Sequence, residues 1–290
     1  MTVVVVGAGI AGLSCARELV NAGVPAKVVE QTDKVGGRLA SEQIDGRWVD
    51  TGAAYLTADD PGFLGRLQTW RIDGLAHPWT DTLRGQQGSG PMRWAAPDGL
   101  NSLAKDLARG LDVTLGVRIT ELPDAEAVVL AMPGPQARRI FADVAEQSWS
   151  PVLTAILTYA RRSWPDFAGA FVNDHPVLAT VFDDGDRRGD GAPVLVAHST
   201  AGYAKEHSGG EKLAEAVGDH LGLSETPRIV TRYWPHAQPR PGRDEFARYG
   251  NVYVCGDAFG RPRVQTAWLS GRATARAILR QLGRDQSTER

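Results

Sequence analysis

Three glycines and one glutamate near the beginning of the chain have the types and spacing of a dinucleotide-binding site. Gly7, Gly9 and Gly12 follow the order G-x-G-x-x-G. The first glycine permits a tight turn, the second allows the backbone to approach a pyrophosphate, and the third brings a helix close to a strand. Glu30 ends the next apolar run, where its carboxylate can accept hydrogen bonds from both ribose hydroxyls and would repel a 2′-phosphate. These residues predict an NAD or an FAD site and leave the choice open.

A strand, a helix and a second strand are needed to hold these residues together. Residues 3–6 are all valine, a run typical of a strand that is buried on both faces. Apolar residues then recur at helical spacing until the sequence AGVP at residues 22–25 ends the helix. A second apolar run at residues 26–29 leads into Glu30. The pattern predicts a β-α-β unit whose helix N-terminus provides the anion site.

The composition indicates a globular protein whose partners are small molecules. Of the 290 residues, 42% are hydrophobic and 23% are charged, and the formal net charge is −2. This charge gives no reason to expect a nucleic-acid or anionic-membrane surface, and it leaves the oligomeric state open. The six histidines show no metal-ligand spacing, so no metal site is expected. The sequence also lacks a Ser-His-Asp order with a nucleophile elbow and a paired-carboxylate motif.

The two cysteines and the first residues predict a cytoplasmic protein. Cys15 and Cys255 both stand in apolar segments, so a disulfide is not expected and a reducing compartment fits. Residues 1–6 have no basic region before an apolar run that is too short for a signal peptide or a membrane span. We therefore expect no membrane partner.

Two further glycine-containing segments, QTDKVGGRLAS and GRWVDTGAAYL, follow the predicted β-α-β unit. They resemble the extended FAD motif of the amine-oxidase-like flavoproteins. The resemblance implies that Gly36, Gly37 and Arg38 lie along the diphosphate, where the arginine offers charge-assisted hydrogen bonds. It also implies that Gly52 and Ala53 pass near the isoalloxazine ring. FAD is therefore the expected cofactor, bound non-covalently because no cysteine has the context that anchors flavin in monoamine oxidases.

Segments along nearly the whole chain are similar to renalase-type flavoproteins, particularly those of the bacterial branch, within the larger amine-oxidase-like superfamily. The segments are PDGLNSLAKDLARGLDV, VVLAMPGPQA, LVAHSTAGYAKEH, YWPHAQP and YVCGDAFGRPRVQTAWLSGRATA, in the order that such proteins show. The chain departs from that family at VFDDGDRRGDGAP, which replaces a loop with tryptophan and asparagine signatures near the substrate cavity. This segment and RGQQGSGP are expected to be exposed loops because they are rich in glycine and charged or polar residues.

The resemblance implies cofactor contacts from both ends of the chain. Asp257, in CGDAFG, matches an acid that bonds the ribityl or diphosphate part of FAD, and the backbone at the start of the last helix would face the flavin. The backbone of Ile119 would meet adenine, with Val117 as the alternative, and residues 131–133 would close over the cofactor. The implied set is Gly7, Gly9, Ile10, Ala11, Gly12, Glu30, Gln31, Gly36, Gly37, Arg38, Leu39, Gly52, Ala53, Ala54, Ile119, Ala131, Met132, Pro133, Gly256, Asp257, Arg263, Val264, Gln265 and Thr266.

These patterns predict an α/β fold in which a Rossmann-like FAD-binding domain carries an inserted mixed-sheet α+β substrate domain. The buried strand, Gly-Asp turn and long helix near the end of the chain repeat the pattern of the beginning. We therefore expect a discontinuous FAD-binding domain at residues 1–56, 97–141 and 245–290. Residues 57–96 and 142–244 would form the substrate domain.

The resemblance implies an oxidase that moves a hydride from a small donor to flavin N5 and then passes electrons to O2. In renalase-type chemistry the donors are 2- or 6-dihydro isomers of NAD(P)H, which become NAD(P)+ with release of hydrogen peroxide. The alternatives are an FAD-dependent amine oxidase and a desaturase or tailoring enzyme that acts on a small metabolite. A non-catalytic FAD-binding redox sensor is an alternative of another class.

No side chain is predicted to be catalytic, because the flavin performs the difficult step and the protein orients the reactants. Amine-oxidizing relatives often hold a lysine near N5, but the five lysines here fall on predicted helix surfaces or on loops of the cofactor domain. His236, within YWPHAQP, is the strongest candidate for the substrate pocket. The full set of pocket candidates is Tyr55, Tyr159, His198, Tyr233, Trp234 and His236.

Overall fold

The valines of residues 3–6 form a central strand in the larger of two main sheets. The computed structural model describes residues 2–283. Its strands are β1 (Val3–Val6), β2 (Ala26–Val29), β3 (Ser41–Ile44), β4 (Arg47–Asp50), β5 (His77–Thr80), β6 (Arg93–Ala95), β7 (Asp112–Thr114), β8 (Ala127–Leu130), β9 (Trp149–Thr158), β10 (Gly169–Phe171), β11 (Leu178–Asp183), β12 (Val194–Ser199), β13 (Arg228–Pro239), β14 (Ala247–Tyr249) and β15 (Val252–Val254). Its helices are α1 (Ile10–Asn21), α2 (Pro61–Ile72), α3 (Asn101–Ala108), α4 (Gly134–Ile140), α5 (Asp184–Arg188), α6 (Ala201–Glu206), α7 (Glu211–Leu221) and α8 (Val264–Gln281).

The first sheet has the strand order β14-β15-β8-β1-β2-β7. All neighbours in it are parallel except β14, which pairs antiparallel with β15. Val3 and Val5 pack into the core on one face of the sheet, and Val6 packs into a separate core on the other face. Burial on both faces explains why the strand is an unbroken run of valines rather than an alternating pattern.

Two helices from opposite ends of the chain cover one face of the first sheet. α1 packs against α8, and a Cβ atom at Gly271 of α8 would overlap the carbonyl of Ala11 in α1. The small residues of α8 are therefore required by the close approach of the two helices. Within residues 2–283, no helix has the length and hydrophobicity needed to cross a membrane.

The second sheet has the strand order β10-β11-β12-β9-β13. Leu157 and Leu195 on one face pack with Leu213 and Val217 of α7. Even-numbered positions of β9 and β12 point the other way, because successive side chains of a strand alternate between faces. On that face Ile156 packs against Val49 of β4. This contact joins the second sheet to the two-stranded sheet of β3 and β4.

The predicted α/β fold class, with a Rossmann-like part and an additional sheet, is confirmed. One finer detail differs, since the five strands of the second sheet pair only antiparallel with one another, and the parallel contact at β10 is an isolated bridge between Ala170 and Arg84. Mixed strand directions occur instead in the first sheet, at β14. Short connections between β10, β11 and β12 account for this, because parallel neighbours would require long crossovers. The boundaries of the two domains stay a prediction.

The segment VFDDGDRRGDGAP was expected to be an exposed loop, and this expectation is wrong. Residues 184–188 form the short helix α5, and Asp184 and Arg187 are fully buried. Asp184 pairs with Arg187, Arg188 and Arg47, so the charges that suggested exposure neutralise one another inside the protein. Burial alone would raise the pKa of Asp184, but these arginines lower it to about 2. The other predicted loop, residues 84–91, is mostly exposed.

Candidate functional site

A cavity of about 920 Å³ lies between the carboxyl ends of the parallel strands and the second sheet. Its glycine-loop end is lined by Gly7, Gly9, Glu30, Val117 and Ile119. Its sheet end is lined by Tyr55, Phe171, Thr180, Phe182 and His198. The carboxyl end of a parallel sheet is where open α/β folds bind their ligands, so this cavity is the candidate site.

The glycine loop between β1 and α1 is packed tightly on one side and open on the other. Gly7 has φ +108°, and a Cβ atom there would lie 2.5 Å from the carbonyl oxygen of Ala131. By contrast, no atom lies within 4 Å of the Cβ position of Gly9, which is the N-cap residue of α1 and lines the cavity. No side chain caps this helix, so its N-terminal N–H groups are available to a ligand anion.

Glu30 both fixes the glycine loop and faces the cavity. Its side chain is only 8% exposed. One carboxylate oxygen accepts a hydrogen bond from the backbone N–H of Ala8 at 2.8 Å, and the other accepts from the N–H and hydroxyl of Thr32, both at 2.9 Å. A carboxylate has about four acceptor positions, so about one remains for a ligand hydroxyl rather than two.

Arg38 and Asp257, which were expected to contact the cofactor separately, form an ion pair at the cavity wall. The two guanidinium N–H···O distances are 2.7 Å and 2.6 Å, a bidentate geometry that is strong and directional. Arg38 also donates to the carbonyl of Ala237 at 3.0 Å and lies 5.0 Å from the ring centre of Trp149. These contacts use three of its five N–H groups and leave two for a ligand.

The cavity brings together nearly all of the residues that were predicted to contact FAD. Gly12, Gln265 and Thr266 do not line it. Gly12 packs against the carbonyl of Gly7, which is the helix-to-strand contact expected of this position. The amide of Gln265 accepts from the backbone N–H groups of Asp59 and Asp60, so it joins the beginnings of α8 and α2. The predicted role of the backbone at the start of α8 stays a prediction.

The cavity contains four of the six candidate pocket residues, namely Tyr55, His198, Trp234 and His236. Trp234 is held by a hydrogen bond from its indole N–H to the carbonyl of Thr51 at 2.8 Å. Burial lowers the pKa of His236, and the nearby Arg139 and Arg38 lower it further.

Tyr159 and Tyr233 lie away from the cavity, contrary to the prediction. Tyr159 is buried on the α7 side of the second sheet, with its ring centre 5.3 Å from that of Trp164. Tyr233 is 48% exposed and precedes the cavity-lining Trp234 on β13. Both residues stand on the opposite face from the cavity because side chains alternate along a strand.

His198 is a neutral imidazole at the wall of the sheet end. Its pKa is lowered to about 4, mainly by burial and in part by Arg187, while a hydrogen bond to the backbone of Gly52 opposes this shift. One ring nitrogen lies 3.2 Å from the hydroxyl of Thr180 on the neighbouring strand. The ring of Phe182 stands edge-on to the imidazole at 5.9 Å. His198 therefore offers a polar surface without a charge near neutral pH.

Sequence reasoning missed Phe171, Thr180, Phe182, Glu42 and Arg93 at or beside the sheet end. A polar residue inside an otherwise apolar strand, as in HPVLATVF, could have indicated Thr180. Glu42 lines the cavity and is held by the Arg232 guanidinium at 2.7 Å, whose hydrogen bond lowers the pKa of this carboxyl. No local pattern could have indicated that ion pair, since its members are far apart in sequence.

Comparisons with known proteins agree with this geometry. Residues 67–279 match the family of flavin containing amine oxidoreductases, and residues 5–70 match the NAD(P)-binding Rossmann-like domain. The chain therefore belongs to the flavin containing amine oxidoreductase family. Members of this family are flavin-dependent oxidoreductases, and the family assignment makes FAD the cofactor of this chain.

Two similar proteins are named for different enzyme activities. Putrescine oxidase of Kocuria rosea is 47% identical over 62 residues, which are 21% of this chain and 13% of that protein. The 15-cis-phytoene desaturase of Synechococcus elongatus is 47% identical over 74 residues, which are 25% of this chain and 16% of that protein. The matched segment thus spans less than a fifth of the length of these relatives.

A solved structure extends the likeness of fold to almost the whole chain. A triple mutant of putrescine oxidase, from a redesign of cofactor binding, superposes with a TM-score of 0.77. The superposition covers 97% of this chain and 100% of that chain at 17% sequence identity. At 17% sequence identity this similarity shows a shared fold and does not extend to activity or substrate.

The residues present fit FAD. The open space in front of Gly9 and the uncapped N-terminus of α1 suit a diphosphate, and the remaining acceptor position of Glu30 suits a ribose hydroxyl. Arg38, oriented by Asp257, would hold the diphosphate with its two remaining N–H groups. Val117 and Ile119 provide an apolar wall beside Glu30 for adenine.

Proposed function

We propose that this protein is an FAD-dependent oxidase that takes a hydride from a small, planar donor that is neutral or anionic. The proposed donors are the 2- and 6-dihydro isomers of NAD(P)H, which lose two electrons and become the aromatic pyridinium NAD(P)+. The electron acceptor is O2, which takes up the two electrons and two protons as hydrogen peroxide. The proposal extends the family assignment to a substrate class.

The observation that carries the proposal is the charge of the sheet end. Aromatic rings line it, and among residues 2–283 its lining carboxylate, Glu42, is already neutralised by Arg232. An ammonium substrate that leaves water is stabilised most strongly by an unpaired carboxylate, and Glu42 is already paired. The arrangement therefore favours a donor without a positive amine. Lys34 is the one lysine that lines the cavity within this described range, and it lies at the glycine-loop end.

The side chains of the sheet end orient the donor and exclude water, while FAD, when bound, accepts the hydride and passes electrons to O2. Tyr55 and Trp234 supply flat apolar surfaces against which a dihydropyridine ring can stack. His198 adds a neutral polar group, so it neither repels nor protonates the donor near neutral pH. A dihydropyridine loses a hydride without prior loss of a proton, so no general base is required.

Anaerobic mixing of the FAD-loaded protein with candidate donors tests the proposal. We expect 2- and 6-dihydro-NAD(P) to bleach the flavin absorbance, and ordinary 4-dihydro-NADH to do so far more slowly. Putrescine and benzylamine should leave the flavin oxidized. Admission of air should restore the absorbance and produce one hydrogen peroxide for each donor consumed. Reduction by an amine without any response to the nicotinamide isomers would contradict the proposal, and reduction by no donor would favour a redox sensor.

Amine oxidation is the second candidate, because the chain shares a family and a fold with putrescine oxidase. The two candidates differ in their dependence on pH. An amine must be deprotonated before it can lose a hydride, so its kcat/KM should rise about tenfold per pH unit below the pKa of the substrate. A dihydronicotinamide has no such proton, and its kcat/KM should show no steep limb. The pH profile of flavin reduction separates the two.

A further inference from the structure

Arg93 is a buried cation without a carboxylate partner. It begins β6, and its side chain is 4% exposed. One terminal nitrogen donates to the side-chain oxygen of Gln86 at 2.9 Å, while Nε and the other terminal nitrogen have no partner. Among residues 2–283, no carboxylate oxygen lies within 4.0 Å of its nitrogens. A charge in this position is costly to bury, so its presence calls for a reason.

Two rings of the cavity wall separate this guanidinium from the sheet end. Its central carbon lies 5.2 Å from the ring centre of Tyr55 and 5.8 Å from that of Phe171. Both rings line the cavity, whereas Arg93 does not. One face of Tyr55 already interacts with this cation, so an ammonium ligand on the cavity side of the same ring would meet a like charge behind it. The guanidinium charge also acts on a ligand in the cavity through buried protein, where water and salt screen it only weakly.

Most other charged groups packed around the sheet end form ion pairs. Arg232 pairs with Glu42. In the cluster around α5, three arginines pair with three aspartates, which are Arg47, Arg187, Arg188, Asp50, Asp184 and Asp190. Asp186 is exposed to water and bonds the indole N–H of Trp79. Water screens the charge of Asp186, whereas the charge of Arg93 is buried and has no ion-pair partner among residues 2–283, so Arg93 adds a weakly screened positive charge beside the sheet end.

We propose that Arg93 is a specificity-determining residue that excludes cationic ligands from the sheet end of the cavity. The site then takes flat ligands that are neutral or anionic. This inference rests on the proposed function in one respect, since it requires that the donor enters at the sheet end. It goes further in assigning the selectivity to a residue that touches neither donor nor cofactor and acts by its charge.

Equilibrium binding of three ligands of similar shape to the oxidized, FAD-loaded protein tests this inference. The ligands are benzylamine, benzyl alcohol and benzoate, which are cationic, neutral and anionic near neutral pH, and the signal is the change in flavin absorbance. We expect benzylamine to bind at least about tenfold more weakly than benzyl alcohol. Arg93→Met should raise the affinity for benzylamine relative to benzyl alcohol by about tenfold.

Two control variants separate charge from shape. Arg93→Lys keeps the charge and should leave the ratio of the two affinities within about twofold of the parent. Arg84→Met removes a neighbouring arginine that stacks on Phe167, a ring outside the cavity, and should also leave the ratio unchanged. If Arg93→Met fails to retain FAD, Arg93→Gln provides a neutral variant that keeps a polar group beside Gln86.

Three results would overturn the inference. The first is an unchanged ratio of the affinities for benzylamine and benzyl alcohol in the neutral variants, and the second is an equal change of this ratio in Arg93→Lys. The third is failure of all three ligands to bind, because a charge can select only among ligands that enter the cavity. The outcome is independent of the test of the proposed function. If the nicotinamide isomers fail to reduce the flavin while the ratio shifts, the selectivity stands and the donor is another neutral or anionic compound. If the isomers reduce the flavin while the ratio is unchanged, the proposed function stands without Arg93.

Discussion

Glu30 links the conformation of the glycine loop to cofactor binding, because one carboxylate anchors Ala8 and Thr32 and keeps one acceptor position free. We expect Glu30→Ala to weaken FAD binding by at least about tenfold, since charge-assisted hydrogen bonds of about 1.5–3 kcal/mol are lost. Asp33→Asn, at an exposed acid that also lines the cavity, should leave FAD binding unchanged. Flavin fluorescence after dilution measures how much FAD each variant retains. If Glu30→Ala retained as much FAD as the parent does, Glu30 would not be a ligand of the cofactor.

His198 should make the protein less stable in mild acid. Burial, with a further contribution from Arg187, lowers its pKa to about 4, whereas a histidine in an unfolded chain has a pKa of about 6.5. Between these values the unfolded chain binds more protons, so the free energy of unfolding falls as pH decreases through this window, by about 3 kcal/mol in total. Urea unfolding of the parent and His198→Gln measures the effect.

The variant His198→Gln should lose this part of the pH dependence. His220→Gln, at an exposed position of α7, serves as the control and should retain it. If the free energy of unfolding changed with pH in the same way in the parent and in His198→Gln, the imidazole of His198 would not be the titrating group.

At the scale of a strand, alternation along β13 separates two adjacent aromatic residues. Trp234 lines the cavity and bonds the carbonyl of Thr51, whereas Tyr233 points to solvent. We expect Trp234→Ala to weaken binding of benzyl alcohol to the FAD-loaded protein by about tenfold, because a large stacking surface is lost. Tyr233→Ala should change the affinity by less than about twofold, as measured by the flavin absorbance. Equal effects of the two substitutions would contradict the assignment of faces.

The helix α5 should contribute strongly to stability through its buried charges. Arg187→Met leaves Asp184 buried with one partner fewer and removes a hydrogen bond to the carbonyl of Ala54. We expect a loss of about 3–5 kcal/mol in the free energy of unfolding. Arg228→Met breaks an ion pair with Asp45 whose side chains are both exposed, and should cost less than about 1 kcal/mol. Urea unfolding compares the two variants, and a small effect of Arg187→Met would show that the cluster is not required for stability.

The elements that the sequence predicts well are those with local signals. The β-α-β unit is encoded by adjacent residues, from the valines of β1 to Glu30, so strand, helix and glycine loop are confirmed. Tyr159 and Tyr233 were assigned to the cavity wrongly because the face of a strand depends on its register with its neighbours. That register is fixed by contacts distant in sequence.

The wrong prediction for the segment that forms α5 and the omission of Arg93 have one physical cause. A charged segment is exposed unless partners elsewhere in the chain compensate it, and Arg47 and Asp50 lie far from α5 in sequence. Arg93 stands in a short strand, and nothing around it indicates that two rings and Gln86 surround it. Composition identifies such residues as charged but does not show whether they are buried or exposed in the fold.

At the scale of the whole molecule, FAD should be bound without a covalent link. Cys255 follows β15 and is buried, and burial raises its pKa to about 12, so it remains an unreactive thiol. We expect the purified protein to be yellow and to release intact FAD into the supernatant on acid precipitation. Flavin that stays with the precipitated polypeptide would contradict this expectation. The supernatant spectrum and its fluorescence after phosphodiesterase treatment identify the flavin.

The pairing of Arg38 with Asp257 joins residues that are far apart in sequence, and β15 completes the sheet beside β8 only near the end of the chain. A ribosome adds roughly 5–20 residues each second, so the glycine loop leaves the ribosome roughly 10–50 s before its opposite wall exists. During synthesis the nascent chain therefore presents half of a flavin site. Capture of the vitamin-derived cofactor must follow the synthesis of β15 and Asp257, and a message truncated before β15 would yield a polypeptide that no supply of riboflavin can rescue.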